Sequence, residues 1–158
     1  MGLWRYIYIL YVVITYGAAF ILIKPKRIKE LLPIAFIGIA VIFLTEEYLI
    51  TLGLYQFPNA ILPIFGIPLF HLLWAGAAAI IFMNYMPQGF MKKLLVILVF
   101  TVLTMIFKYF PEHHDVAQHL GMYSEIHDAI QDFISLILVV WISEGLFGKH
   151  IHSSEKSY

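Results

Sequence analysis

The chain has 158 residues, 61% of them hydrophobic and 13% charged, against roughly 25% charged in ordinary soluble domains, which excludes a soluble globular class. Its formal net charge is zero and no basic surface for nucleic acid is visible. Without cysteine, disulfides, thiolate metal sites and a thiol nucleophile are also excluded, so any metal must be held by imidazole and carboxylate.

The predicted fold is all-α: a polytopic membrane protein, with a bundle of five transmembrane helices and a short extracytoplasmic interfacial helix in one domain over residues 1–158. Residues 3–23 form an apolar run of about twenty, the length a helix needs to cross roughly 30 Å of hydrocarbon. The basic cluster Lys24, Lys26, Arg27 and Lys29 follows this run instead of preceding it, which marks an anchor and not a cleaved signal. The second span, residues 31–56, contains Glu46 and Glu47; the third, residues 60–86, contains His71. Pro63 and Pro68 are expected to kink the third helix and free backbone carbonyls. Below them Ala75, Gly76 and Ala77 to Ala79 offer a small-residue face suited to close helix packing. A fourth span, residues 94–110, follows Lys92 and Lys93, and a fifth, residues 124–147, ends before Gly148 and Lys149.

Lys24, Lys26, Arg27, Lys29, Lys92, Lys93, Lys149 and Lys156 all fall on one side of this model, with Arg5 and Lys108 on the other. Cytoplasmic loops are enriched in Lys and Arg. The expectation is a multi-pass cell-membrane protein with an extracytoplasmic amino terminus and a cytoplasmic carboxyl terminus.

Residues 111–132 carry four of the seven histidines and half of the ten acidic residues. Ionisable groups at membrane depth are costly, so their concentration marks a functional site. On the fifth helix Ser124, Glu125, His127, Asp128, Gln131, Asp132 and Ser135 share an arc of about 160°. The face below continues as Leu138, Val139 and Ile142, which argues for a pocket open to the outside and against a through-pore. Ser124 is read as the N-cap, with Glu125 in the first turn. Pro111 is placed in the first turn of a short helix, residues 112–120, ended by Gly121 and lying over the pocket as a lid. At about 1.5 Å rise per residue, Glu46, His71, Asp128 and Asp132 overlap in depth in the outer half of the bundle.

Imidazole with carboxylate suits Fe, Mn or Zn, and the candidate ligands are His71, His114, His119, Glu125, His127 and Asp128. No HExxH or Glu-x-x-His spacing accompanies them. The alternative is a wetted helix end and a solvated loop, with His71 bonded to a carbonyl freed by Pro68. Glu46, Glu47 and Asp132 are the candidate acids or bases. Adjacent residues lie about 100° apart on a helix, so only one of Glu46 and Glu47 reaches the pocket.

The stretch EEYLITLGLYQFPNAILPIFGIPLFHLLW resembles a pattern in carotenoid hydratases and bacterial lycopene cyclases, with Glu47, Gly53, Tyr55, Phe57, Gly66, Pro68, Leu69 and Trp74 at matching positions. The resemblance covers about thirty residues and does not reach the histidine-rich segment. It implies an apolar polyene or isoprenoid substrate, acid chemistry by Glu47, and substrate contacts from Tyr55, Phe57 and Trp74.

Three functions stay open. One is a membrane enzyme acting on a lipid or isoprenoid, with or without a bound metal. Another is a transporter or sensor that binds protons or a divalent metal. The last is a structural subunit whose polar arc meets another copy or a partner membrane protein.

Overall fold

The computed structural model describes residues 3–151, except the side chains of Leu3, Lys149 and His150. Lys156 and His152 lie outside the described residues. Five α-helices make up the core: α1 (Ile7–Leu22), α2 (Pro25–Thr51), α3 (Leu69–Asn84), α4 (Phe90–His113) and α5 (Glu125–Phe147). Four segments, Trp4–Leu22, Pro25–Thr51, Phe90–His113 and Glu125–Phe147, are long and apolar enough to cross a membrane. Such a chain is compatible with a multi-pass membrane protein.

The third predicted span is corrected. Its helix starts only at Leu69 and has 16 residues, about 24 Å of rise. Residues before it form a hairpin of two short strands, β2 (Pro63–Ile64) and β3 (Ile67–Pro68). Phe65 and Gly66 at its tip have φ of 50° and 88°, the double positive φ of a type I′ turn. Pro63 and Pro68 pair across the hairpin, where a missing N–H breaks no helix. Instead of kinking a long helix, the prolines stop it from starting.

Short as it is, α3 is the most enclosed helix. His71, Leu72, Trp74, Ala75, Gly76, Ala77, Ala79, Ile80, Phe82 and Met83 are all buried, on every side of the helix. It packs against α1 and α2, and the small residues permit this. A Cβ added to Gly38 on α2 would lie 2.5 Å from the Ala79 Cβ and 3.2 Å from the Ala75 carbonyl oxygen. The seam expected from Ala75, Gly76 and Ala79 is thus formed against α2.

The other helices bury one stripe each. On α5 the buried positions Asp128, Asp132, Ser135, Val139 and Ser143 recur at helical spacing. On α4 few residues are buried, Lys108 and Pro111 among them. Its exposed Leu95, Val99, Val102, Leu103 and Ile106 suit contact with lipid.

Pro111 does not begin a new helix as expected, but sits inside α4. Lacking an N–H, it cannot bond the Phe107 carbonyl four residues back. The Tyr11 hydroxyl of α1 donates to that oxygen at 2.8 Å. The predicted helix 112–120 is also absent: α4 ends at His113, Asp115 takes a φ of 56°, and Gln118–His119 form strand β4. Opposite it lies β1 (Tyr55–Gln56), with Tyr55 paired to His119 and Gln56 to Gln118. β1 is placed by the end of α2, where Leu54 N–H bonds the Leu49 carbonyl and Gly53, at φ 70°, bonds that of Ile50. These two bonds form a Schellman motif, which needs the left-handed glycine.

The helices alternate in direction. An ion pair between Lys93 and Glu144, and a hydrogen bond from Arg27 to the Ile151 carbonyl, gather the start of α2, the start of α4 and the end of α5 at one end. That end carries the basic clusters. The opposite end carries β1, β4 and the polar loop.

Candidate functional site

Glu46 of α2 and His71 of α3 form a buried pair, with Nε2 2.7 Å from Oε1 and side chains 2% and 3% exposed. Contact at this distance requires a proton between the two atoms. Rings of Tyr8, Phe57 and Trp74 surround the imidazole at centroid distances of 4.7, 5.5 and 5.6 Å. His71 is thus not bonded to a carbonyl freed by Pro68. Glu46 Oε2 and His71 Nδ1 have no hydrogen-bond partner among the described residues.

A second buried group is centred on Lys108. Its Nζ donates to Asp132 Oδ1 at 2.7 Å and to Asp128 Oδ1 at 3.1 Å, and all three side chains are almost fully enclosed. Asp128 and Asp132 lie one helical turn apart on α5, so one ammonium reaches both. Tyr123 OH donates to Gln131 Oε1 at 2.6 Å and lies 3.3 Å from Asp128 Oδ1. The sequence reading counted Lys108 with Arg5 among the basic residues of the outer side and gave it no role in the site. In the folded chain it is an internal counter-ion.

Above this group the β1–β4 ladder holds His119 over two carboxylates. Its Nε2 lies 3.3 Å from Glu112 Oε1 and 3.6 Å from Asp128 Oδ2, in directions that give no hydrogen bond. One ligand atom each from Glu112, His119 and Asp128 fall within 4.8 Å of one another. Tyr55 OH reaches Glu112 Oε1 at 3.5 Å. The Asp128 carboxylate, and then Glu112, hold the His119 imidazole above its ordinary range. Burial first, and the neighbouring carboxylates second, raise the Tyr123 phenol, while burial raises that of Tyr55. Outside the triad opens a cleft of about 420 Å³ lined by Tyr109, Glu112, His113, Asp115, His119 and Glu125.

Between the two buried groups lies a cavity of about 60 Å³, its wall formed by His71 and Trp74 on one side and Thr104, Lys108, Asp132 and Ser135 on the other. Asp132 Oδ2 and Ser135 Oγ have no hydrogen-bond partner among the described residues. Toward the basic end its lining is apolar, with Phe82, Phe100 and Val139.

Of the residues singled out by sequence, Glu46, His71, His119, Asp128 and Asp132 line these two groups, and Tyr55, Phe57 and Trp74 are buried around them. Others point elsewhere. Glu47 accepts from Thr51 Oγ1 at 3.1 Å on a half-exposed face of α2. His114 stacks on Trp4 at 3.6 Å. His127 stacks on Tyr123, its Nδ1 2.8 Å from Ser124 Oγ, so the Ser124 side chain does not cap α5. Glu125 is exposed on the rim of the cleft. For His127 the reason is angular, since it lies about 100° from Asp128; Glu125 shares the side of Asp132 but is the first residue of α5, at its exposed outer end.

Lys108, Glu112 and Tyr123 were missed. A signal for the first two existed, since Lys108 and Glu112 are four apart and share a helix face provided that Pro111 lies within the helix. Comparison with protein-family models, curated proteins and solved structures finds no match to this chain.

Proposed function

We propose that this chain is a multi-pass membrane protein that reversibly binds a divalent transition metal of the Zn, Fe or Mn type at its extracytoplasmic end, as a metal sensor or receptor. Glu112, His119 and Asp128 supply the ligands, a donor set suited to these ions. The basic end faces the cytoplasm, and α3 with its hairpin completes five crossings.

The observation that carries the reading is charge. Asp128 and Asp132 both bond the one ammonium of Lys108, and a third carboxylate, Glu112, stands with Asp128 in the triad. With all three ionised, two negative charges are left over in a region where burying an uncompensated charge is expensive. A divalent ion beside a neutral His119 cancels both. Lys108 stays on Asp128 Oδ1 while Oδ2 faces the ion, an arrangement typical of partners that orient a ligating carboxylate. The cleft leaves coordination positions open to water. The apolar lining of the cavity by Phe82, Phe100 and Val139 favours a one-sided site over a channel.

The test is the metal content of detergent-purified protein by mass spectrometry, together with zinc titration calorimetry, on wild type, His119→Ala and Asp128→Asn. One metal per chain, lost in both variants, supports the reading; folded wild type that neither contains nor takes up metal overturns it.

A second reading, a metal-dependent enzyme acting on an apolar lipid, is favoured by Tyr109. This ring lines the cleft yet is 56% exposed on the outer surface of α4, so an acyl or isoprenoid chain could reach the cleft from the bilayer. Its measure is a change in membrane lipid composition on expression of wild type that His119→Ala does not produce.

A further inference from the structure

The Glu46–His71 pair plays no part in the metal reading, and it is almost fully buried. Glu46 Oε2, His71 Nδ1, Asp132 Oδ2 and Ser135 Oγ all belong to side chains at most 3% exposed and have no hydrogen-bond partner among the described residues. His71, Asp132 and Ser135 line one cavity. Leaving such atoms unpaired in an apolar interior is costly. Water needs roughly 10–15 Å³ and two to four polar partners to occupy a buried cavity. The cavity offers about 60 Å³ and those partners.

We propose that this cavity is an internal water site joining His71 to Asp132, and that it makes Glu46–His71 a proton-exchange site. Asp132 accepts from Lys108 at 2.7 Å through Oδ1, which leaves Oδ2 for the cavity. Water in the cavity bridges Asp132 Oδ2 to His71 Nδ1, and His71 Nε2 meets Glu46 Oε1 at 2.7 Å. A proton that enters at one ring nitrogen of His71 can leave from the other toward Glu46, without ring rotation.

The ionisable groups facing the pair are Tyr8 from α1, Tyr55 from β1, Lys108 from α4 and Asp132 from α5. Only Lys108 and Asp132 share the cavity with His71. The proposal is independent of whether metal is bound.

The test is magnetic resonance of detergent-solubilised protein carrying isotope-labelled histidine, in chelator. The proton between His71 Nε2 and Glu46 Oε1, identified by its loss in His71→Asn, is followed as it exchanges magnetisation with water. Exchange is expected in wild type. Ala78→Leu, which fills the cavity from α3, should slow it by about tenfold or more, because exchange then requires local opening of the bundle. Ser135→Val removes one water partner without adding bulk and should act in the same direction. An unchanged rate in both folded variants, or no exchange in wild type, overturns the proposal.

Discussion

Lys108 Nζ lies 2.7 Å from Asp132 Oδ1 and 3.1 Å from Asp128 Oδ1, and it is the counter-ion around which the outer half of the bundle is assembled. Removing one partner of a buried ionic group leaves an uncompensated charge, at a cost of about 3–5 kcal/mol. Lys108→Met is therefore expected to lower the thermal midpoint in detergent sharply. Adding Asp128→Asn and Asp132→Asn to it should restore much of the loss, since the charge problem disappears. A triple variant no more stable than Lys108→Met would count against the counter-ion role.

Gly38 governs how closely α2 and α3 approach. Its added Cβ would sit 2.5 Å from that of Ala79, so Gly38→Ala should destabilise by about 1–3 kcal/mol, the usual cost of overpacking. Gly38→Ala combined with Ala79→Gly should recover stability by exchanging which helix carries the methyl group. Gly17, with nothing within 4 Å of its added Cβ, is the control. Its change to Ala should be neutral, or stabilising by up to about 1 kcal/mol through helix propensity.

Metal binding should stabilise the fold by mass action. At zinc concentrations about 100-fold above the dissociation constant the gain is about 2.7 kcal/mol, visible as a raised thermal midpoint that chelator reverses. Glu112→Gln and His119→Gln should lose the shift. Variants at His114, Glu125 and His127 should keep it, because those side chains lie off the triad.

His119 sets a pH limb. Asp128 and Glu112 raise its folded value above the ordinary 6.5, so its protonated form is better stabilised in the folded chain than in the unfolded one. That stability is fully present below 6.5 and is lost as pH rises through the raised folded value. Measured in chelator, wild type should lose more stability over this window than His119→Gln. Parallel profiles would show that the carboxylates do not act on the imidazole.

The helical class, four of the helices and the segregation of basic residues to one end were legible in the sequence, because length, hydropathy and charge are properties of local stretches. Asp128, Asp132 and Ser135 were legible as an inner stripe for the same reason: helical spacing fixes which residues share a face. The start of α3 was misjudged because the type I′ turn at Phe65 and Gly66 depends on a non-glycine residue at positive φ, which hydropathy does not register. Two relationships were decided only by the tertiary structure. Choosing Glu46 over Glu47 required the rotation of α2 against α3, set by the Gly38–Ala79 contact. Placing Lys108 among carboxylates required Pro111 to be absorbed into α4, with Tyr11 from a different helix taking the carbonyl it frees. Composition alone shows that charges lie near an apolar core; which of them are buried together depends on helix rotation and depth, and packing fixes both.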